Sequence, residues 1–323
     1  MWGGGTQDDM NGAGAIVNPS QPSTPPVVPD KPVEKPPIKP SEPEVTGAVY
    51  QQQPNISNCV SGELTEITKQ SMLKRLNLIR ALHGLAAVRY DYVHDDEVMQ
   101  AALIMSANKK LSHEPPSNWK CYSQVGYAGA GVSNLYIQAG TKLDNNHISA
   151  LQNDLTAWLV DLGVVSSGHR RWLLSPFLTQ VAYGSVAGTV DGQSVRSSAL
   201  RVSYNETAPG FAAQELIAYP VGEYPKEYFD RSAYLSVGLL IDPVNILVNT
   251  RVDFSQARIS VKARGGQVMT VTEISSNNQR SGLPNHLQFK VAQLQENVIY
   301  DVHVENVVIN KVLSSYDYWF KLK

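Results

Sequence analysis

Two histidines and one aspartate are the residues of this sequence best suited to acid–base or metal chemistry. His113 closes the run Leu111-Ser112-His113, His169 follows Gly168, and Asp161 ends an amphipathic segment just before that second histidine. Two neutral imidazoles held a few ångströms apart make either a metal-binding pair or a general acid–base pair. In such a site Asp161 would orient one ring through a hydrogen bond, or complete a ligand set.

Spacing along the chain does not by itself bring these residues together. The two histidines are separated by 56 residues, and the chain has no compact H-x-x-x-H or C-x-x-C zinc motif. A structural role for each histidine therefore stays open beside the chemical one. Arg170 and Arg171, which follow His169, suit either an anionic ligand or a structural ion pair with a carboxylate.

Helical segments are expected to position the three residues. Apolar periodicity predicts helices at about 62–83, 95–113 and 147–162, and a short helical turn at 168–174. Gly84 is a natural end for the first helix, and Pro115-Pro116 stops the second just past His113. Between the second and third helices, residues 117–146 have the composition of a long, glycine-rich, functional loop.

The pattern changes from helices to strands near residue 181, which predicts an α+β fold. Segments rich in β-branched and aromatic residues at 181–186, 195–204 and 214–219 are expected to form the sheet of the first domain. Short alternating segments then predict an all-β sandwich of about 90 residues. Its seven predicted strands are 236–241, 246–249, 258–263, 268–274, 286–291, 298–304 and 316–322.

Three regions follow from these patterns: residues 1–57, 58–232 and 233–323. The first is a proline-rich, semi-rigid spacer, because it cannot bury enough surface to offset its ordering entropy. Its glycine-rich start is typical of the tether behind a lipidated cysteine, so we expect a lipoprotein anchored outside the cell membrane. The net charge of −2 argues against a nucleic-acid partner, and no apolar run is long enough to cross a membrane.

Cys59 and Cys121 are the two cysteines of the chain. In an exported protein we expect them to pair, whereas in a cytosolic protein they would be reduced, buried thiols. A bridge would close a loop of about 60 residues, which the chain-entropy model values at roughly 4 kcal/mol. It would also restrain the segment that carries His113, eight residues before Cys121.

Residues from about 64 to 187 resemble the CAP superfamily of cysteine-rich secretory proteins, antigen 5 and plant pathogenesis-related proteins, and they are most similar to its bacterial branch. The resemblance depends on short motifs that occur in the family's order. They are Leu76-Asn77-Leu78-Ile79-Arg80, Leu111-Ser112-His113, Ser133-Asn134-Leu135, Trp158-Leu159-Val160-Asp161, Gly168-His169-Arg170, Leu174-Ser175-Pro176 and Val181-Ala182-Tyr183-Gly184. In the last region Leu294 and Tyr300 resemble the tyrosine corner of immunoglobulin-like and fibronectin type III-like domains.

The resemblance implies a three-layer α-β-α sandwich with a central cleft that holds two histidines and two acids, with zinc on the histidine pair. The histidines fall on His113 and His169, and one acid falls on Asp161. The second acid falls on Ser133, whereas Asn134 keeps its place. Loss of that carboxylate is expected to weaken the attraction of the cleft for a metal ion.

We therefore expect an exported bacterial cell-envelope protein whose cleft binds a ligand, a metal ion or a partner. Its partner would be a small or cell-envelope molecule in the cleft, or a protein on the sandwich. A hydrolase is the alternative, with His113 or His169 as general base, Asp161 orienting that base, and zinc as the expected cofactor. A structural envelope protein with an empty cleft is a third class. Loss of the second acid favours a binding protein over an enzyme.

Overall fold

The computed structural model describes residues 47–141, 143, 147–204 and 208–323. Most of the expected spacer, residues 1–46, lies outside the described residues. Residues 47–57, which were assigned to the spacer, are instead folded: strand β1 (Tyr50–Gln52) pairs with β2 (Glu63–Leu64). Val49, Tyr50 and Ile56 are buried in the core. These three apolar residues, spread over eight positions, supply the buried surface that the proline-rich part lacks.

Helices and strands alternate in the first half of the described chain, and strands dominate the second. The helices are α1 (Glu66–Leu82), α2 (Asp95–Asn108), α3 (Gln124–Gly131), α4 (Ile148–Val160), α5 (Gly168–Leu173) and α6 (Ile246–Asn249). The remaining strands are β3 (Arg89–Tyr90), β4 (Ser133–Gly140), β5 (Gln180–Val190), β6 (Gln193–Arg201), β7 (Leu216–Tyr219), β8 (Gly222–Tyr224), β9 (Leu235–Leu239), β10 (Arg258–Ala263), β11 (Val271–Asn277), β12 (His286–Val291), β13 (Ile299–Ile309) and β14 (Val312–Leu322).

A four-stranded sheet of order β3-β5-β6-β4 lies between helices on both faces. Leu135, Ala182 and Ala199 pack with residues of α2 and α3 on one face. On the other face the Tyr183 hydroxyl donates a hydrogen bond to Asp154 of α4 at 2.8 Å. Both terminal nitrogens of Arg196 donate to the same buried carboxylate, at 2.7 and 2.8 Å. The mixed α+β fold, with helices on both sides of a sheet, is confirmed.

Strands β7–β14 form a β-sandwich of two four-stranded sheets, of order β11-β12-β9-β7 and β10-β13-β14-β8. The predicted sandwich is thus confirmed, but its strands begin earlier than expected. Strands β7 and β8, which lie before the expected boundary at residue 232, pair with C-terminal strands and not with the first sheet. Apolar alternation shows that a segment is a strand, but it does not show which sheet supplies its partner.

Two segments differ from the sequence-based expectation. Residues 246–249 were predicted as a strand, but they form the short helix α6, since the Asn245 side chain caps Leu247 N at 3.0 Å. Residues 117–146 were predicted as a loop, but they contain α3 and β4. The glycines of α3 serve close packing: a Cβ on Gly129 would lie 2.4 Å from the carbonyl oxygen of Glu97, and one on Gly126 would lie 2.9 Å from Gln100.

The described residues form one compact unit in which the first sheet and the sandwich share a continuous apolar core. None of the helices in the described part of the chain is long and apolar enough to span a membrane.

Candidate functional site

His169 and Asp161 form the best-defined polar pair of the candidate site. The side chain of Asp161 is 1% exposed, and its Oδ1 lies 2.7 Å from Nδ1 of His169. Its Oδ2 accepts a hydrogen bond from the backbone N–H of Arg170 at 3.1 Å. Asp161 can face back toward α5 because it leaves α4 in the left-handed conformation, with φ of 55°. Both carboxylate oxygens are therefore used to fix the start of α5.

The carboxylate also fixes the tautomer of His169. A carboxylate oxygen only accepts hydrogen bonds, so Nδ1 must carry the proton and donate it. In the neutral ring Nε2 is then an unprotonated acceptor, and within the described residues it makes no hydrogen bond. The side chain is 26% exposed. The pair thus presents one oriented nitrogen lone pair toward solvent, which suits a general base, a ligand contact or a metal bond.

Arg80, from the first motif of the resemblance, holds the far end of α5. Its side chain is fully buried and donates to the carbonyl oxygens of Leu173 at 2.8 Å and Ser175 at 2.9 Å. The last carbonyls of a helix lack partners within the helix, and a cation there also complements the helix dipole. Burial lowers the pKa of Arg80 to about 10, so the side chain stays charged at neutral pH.

Arg170 links the end of α4 to the sandwich, and no carboxylate of the described residues forms an ion pair with its guanidinium group. Nε and Nη2 donate to the carbonyl oxygens of Leu159 and Val160, each at 2.6 Å. Nη1 donates to the carbonyl oxygen of Tyr234 at 2.8 Å and to Ser236 Oγ at 3.2 Å. The guanidinium carbon lies 3.9 Å from the centre of the Tyr219 ring. The expected ion pair is wrong, because backbone carbonyls and an aromatic face take the place of a carboxylate.

Arg171 also enters the sandwich. It donates to Asn277 Oδ1 at 3.0 Å, to the carbonyl oxygen of Leu283 at 2.8 Å, and to that of Gln279. Neither this arginine nor Arg170 forms an ion pair with any residue in the described ranges. The helix that carries His169 is consequently fixed by Asp161 on one side and by the sandwich on the other.

Ser133 and Asn134 lie at the start of β4, and both are buried. Asn134 Nδ2 donates to the backbone carbonyl oxygen of His169 at 3.1 Å, so this predicted cleft residue does contact the α5 segment. Ser133 Oγ is buried and has no hydrogen-bond partner among the residues that the structure describes. A serine at this position thus adds no charge to the site.

His113 is an exposed residue in the connection between α2 and α3. Its Nδ1 donates to the carbonyl oxygen of Ala130 at 2.8 Å, which again leaves Nε2 as the free nitrogen of the neutral ring. Ala130 and Asn134 are four residues apart, so their Cα atoms are at most about 14 Å apart. One short segment therefore contacts both histidine residues, His113 at its start and His169 at its end.

The disulfide Cys59–Cys121 is confirmed, with a Cα–Cα distance of 5.2 Å. Cys121 lies between His113 and α3, and it is packed against the apolar core. The bridge ties the connection that carries His113 to the segment that precedes α1.

An ion pair that the sequence analysis missed lies beside Ser133. Arg201 of β6 is directly opposite Ser133 in the β4–β6 ladder, and its guanidinium group contacts the carboxylate of Glu97 on α2. Side chains that are directly opposite each other in a ladder share a face of the sheet. Glu97 thus brings a carboxylate close to the place of the missing acid, but Arg201 neutralises it. The strand pairing was not available from the sequence, so no local pattern identified this pair.

Zinc is the metal that the family resemblance implies, and the donor set does not fit a tightly held ion. Within the described residues, no group of three or more histidine, cysteine, aspartate or glutamate side chains is placed to bind a metal. Both carboxylate oxygens of Asp161 already accept hydrogen bonds, from His169 and Arg170, and Ser133 supplies no carboxylate. Two imidazole nitrogens alone fall short of the three or four protein ligands of most zinc sites.

Comparison with known families finds one match, within the first half of the described chain. Residues 73–195 match the model of the cysteine-rich secretory protein family, known as CAP. The matched region contains Arg80, both histidines, Asp161 and the disulfide residue Cys121. No curated protein matches the chain. Residues 73–195 thus form a CAP domain, and a β-sandwich follows it in the chain.

Proposed function

We propose that this protein is an exported CAP-domain protein that binds a ligand in the cleft next to His169. The observation that carries the proposal is the buried Asp161 carboxylate, which fixes Nδ1 of His169 and leaves Nε2 available at the surface. A fixed acceptor of this kind binds a ligand with little loss of side-chain entropy. His113 supplies a second imidazole from the α2–α3 connection.

A hydrolase is the second candidate, and the same pair favours it. A buried carboxylate that holds a histidine in one tautomer is the usual means of orienting a general base. His169 Nε2 would accept a proton from a nucleophile, and Asp161 would stabilise the imidazolium that forms. Ser133 and the neutralised Glu97 supply no second acid for the leaving group, which is why binding ranks first.

Zinc titration by calorimetry near pH 7.5 tests whether the two histidines act together. Four proteins would be compared after metal removal: the wild type, His113→Ala, His169→Ala and the control His303→Ala, which removes an exposed histidine of the sandwich. We expect weak binding, with a Kd of micromolar or higher, that both cleft substitutions abolish and the control preserves. Binding that survives either cleft substitution would show that the histidines do not share a ligand.

A hydrolysis assay separates the two candidate functions. A panel of ester, amide and phosphoester substrates would be tested with the wild type and with His169→Ala, and folding would be checked by circular dichroism. A binding protein is expected to show no turnover above buffer. Turnover in the wild type that His169→Ala abolishes without unfolding would establish the hydrolase instead.

Export is part of the proposal, and the disulfide supports it, because such bonds persist in oxidising compartments. A lipid-anchored, proline-rich spacer would hold the folded unit away from the membrane. Thiol alkylation and mass spectrometry of the protein from its native cells provide the test. Fully oxidised Cys59 and Cys121 are expected, and alkylated cysteines would contradict export.

The sandwich is proposed to be an immunoglobulin-like or fibronectin-like module that offers a surface for a protein partner. Supporting this, the backbone N–H of Gln295 donates to the hydroxyl of the buried Tyr300 at 2.8 Å, as in a tyrosine corner. Tyr300→Phe keeps the ring and removes that acceptor, so it is expected to destabilise the protein by about 1 kcal/mol. An unchanged free energy of unfolding would remove this support.

A further inference from the structure

The loop that joins α4 to α5, residues 161–167, connects the two members of the polar pair. It begins at Asp161, and His169 lies two residues after its end. The backbone is left-handed at Asp161, with φ of 55°, and again at Ser167, with φ of 47°. Residues other than glycine rarely adopt this conformation, because the Cβ atom approaches the backbone too closely. Two such residues in one short loop keep their conformation only when other contacts hold them there.

The loop does not hold itself in place by burying its apolar side chains. Leu162 is 56% exposed and Val165 is 74% exposed. Two backbone hydrogen bonds form consecutive turns, from Val164 N–H to the carbonyl oxygen of Asp161 and from Ser167 N–H to that of Val164. Both bonds join residues three apart, so they shape the loop without attaching it to the rest of the protein. The middle and the end of the loop therefore depend on a distant contact.

Gln288 of β12 makes that contact. The residue is 3% exposed, so its side-chain amide needs partners within the protein. Nε2 donates to the carbonyl oxygen of Val165, and Oε1 accepts a hydrogen bond from the Ser167 hydroxyl at 2.8 Å. Within the described part of the chain, these two bonds are the ones that join residues 162–167 to another segment. A side chain of the sandwich thus holds the loop between Asp161 and His169.

The Ser167 hydroxyl binds Gln288 and does not cap α5. Ser167 occupies the N-cap position, where a serine commonly accepts a hydrogen bond from a backbone N–H of the first turn, but its side chain makes no such bond. Asp161 takes over this function, since its Oδ2 accepts from the N–H of Arg170 at 3.1 Å. The start of α5 consequently has two supports, Asp161 from the CAP domain and Gln288 from the sandwich.

The partners of Gln288 determine the orientation of its amide. A carbonyl oxygen only accepts, so the atom that faces Val165 is the nitrogen. Oε1 also lies 3.2 Å from Nε2 of the buried His286, which must donate to it. Gln288 is directly opposite Ser236 in the β9–β12 ladder, and Ser236 accepts from Arg170 Nη1 at 3.2 Å. One face of this sheet therefore binds both the loop and the helix that carries His169.

We propose that Gln288 is a positioning residue of the His169 site, through which the sandwich controls the orientation of the imidazole. By holding Val165 and Ser167 it keeps the loop in its left-handed turns, and this keeps Asp161 Oδ1 within hydrogen-bond distance of His169 Nδ1. Without Gln288 the loop adopts other conformations, and the His169 ring is no longer restricted to one tautomer. This role rests on the proposed function of His169, because ring orientation matters only where Nε2 binds a ligand or accepts a proton.

Nuclear magnetic resonance of the intact protein with ¹⁵N-labelled histidines tests this role at a pH where the His169 ring is neutral. In the wild type we expect the proton on Nδ1 alone. Gln288→Leu keeps a similar side-chain volume and removes both hydrogen bonds to the loop. We expect it to lose the single tautomer of His169 and to add the signals of the ring protonated at Nε2.

Asn285→Leu is the matched control. It removes another buried side-chain amide of the sandwich, whose hydrogen bonds go to the backbone of Leu239 and Asn249. We expect it to lower the stability of the protein, since it too leaves buried backbone groups without partners. The His169 spectrum should nevertheless stay as in the wild type. The comparison separates positioning of His169 from a general loss of stability.

Two substitutions at Ser167 test the physical reason, and they provide the test where Gln288→Leu does not fold. Ser167→Ala removes the hydroxyl but keeps the Cβ, so the left-handed turn loses its support. Ser167→Gly also removes the hydroxyl, but glycine adopts positive φ without this steric cost. We expect both tautomers of His169 in Ser167→Ala and a single tautomer in Ser167→Gly.

Three results would overturn the proposal: a mixture of tautomers in the wild type, a single tautomer in both Gln288→Leu and Ser167→Ala, and the same mixture in Asn285→Leu as in Gln288→Leu. The spectra require no ligand, so they are independent of the zinc titration and the hydrolysis assay. A negative result in those two assays, together with loss of the single tautomer in Gln288→Leu, would refute the proposed function and uphold the positioning role.

Discussion

The two histidines of the CAP domain are held in opposite ways. His169 lies on a helix whose start is fixed by a buried carboxylate, whose end is fixed by Arg80, and whose next two side chains are fixed in the sandwich. His113 lies in an exposed connection, and its ring is held by one hydrogen bond to a backbone carbonyl. The same side chain is thus preorganised in one place and adjustable in the other.

This difference bears on how the proposed site would bind a ligand. A preorganised nitrogen contributes affinity because little conformational entropy is lost on binding, whereas a mobile one adapts to ligands of different size. We infer that His169 sets the position of a ligand and that His113 adjusts to it. Substitutions that loosen one histidine and leave the other in place would test this difference.

Removing the Arg80 guanidinium group, which binds the C-terminal end of α5, is expected to lower the stability of the protein most. Arg80→Met leaves the carbonyl oxygens of Leu173 and Ser175 buried without a donor, so we expect a loss of about 3–5 kcal/mol in the free energy of unfolding. Urea denaturation measures it. Arg89→Met, at an exposed position, is the control and should change stability by no more than about 0.5 kcal/mol. Equal effects of the two substitutions would show that Arg80 does not support α5.

Removing the disulfide is expected to loosen the α2–α3 connection, which carries His113. The chain-entropy model predicts a loss of about 2–4 kcal/mol for the double variant Cys59→Ser/Cys121→Ser. Amide hydrogen exchange should increase between residues 109 and 131 and stay unchanged in α5. An equally large increase of exchange in α5 would show that His113 and His169 are not held independently.

Acid is expected to weaken the contact between the sandwich and Ser167, which precedes α5, through His286. This histidine is buried, its Nε2 lies 3.2 Å from Oε1 of Gln288, and the same oxygen accepts a hydrogen bond from the Ser167 hydroxyl. The pKa of His286 is about 3 in the folded protein and near 6.5 in the unfolded chain, so between these values the unfolded state binds more protons. Stability therefore falls as the pH drops below 6.5, by up to about 1.4 kcal/mol per pH unit from this group. His286→Gln should flatten that slope relative to the wild type.

The exposed His303→Gln serves as the control for the acid experiment, and it should leave the slope unchanged. Denaturation midpoints between pH 4 and 7 measure the effect. A slope that is the same in the wild type and in His286→Gln would show that folding does not lower the pKa of His286.

Weakening the carboxylate that orients His169 is expected to have the smallest effect on stability. Asp161→Asn replaces one of two acceptors by an amide donor, so about 1–2 kcal/mol should be lost. The ¹⁵N spectrum should show the neutral His169 ring as a mixture of tautomers, whereas the His113 signals stay unchanged. A single, unchanged tautomer of His169 would show that Asp161 does not determine it.

Much of the His169 side could be predicted from the sequence, because its partners are close along the chain. Asp161 and His169 are eight residues apart, at the end of one helix and the start of another, and their predicted contact is present. What could not be predicted depends on distant segments. Arg170 Nη1 and the Arg171 guanidinium group donate to carbonyls more than 60 residues away, and no local pattern identifies such acceptors.

The glycines of α3 show a second reason why the sequence did not predict the structure. Glycine usually indicates a loop because of its conformational freedom, and residues 117–146 were predicted as a loop for that reason. Here Gly126 and Gly129 are helical, and their missing side chains let α3 lie directly against α2. The requirement comes from the neighbouring helix, so composition alone pointed to the wrong structure.

The arginines of α5 also bear on how a gene for this protein could change. A CAP segment that ended at residue 232 would keep Arg170 and Arg171 but lose Tyr234, Asn277 and Leu283, which accept their hydrogen bonds. It would also leave β7 and β8 without their strand partners. Recombination that exchanged the sandwich for another module would meet the same loss. We therefore expect the two parts to be inherited as one unit. A homologue that lacks the sandwich is expected to differ at position 171, whereas Arg170 would keep the carbonyl oxygens of Leu159 and Val160 as acceptors.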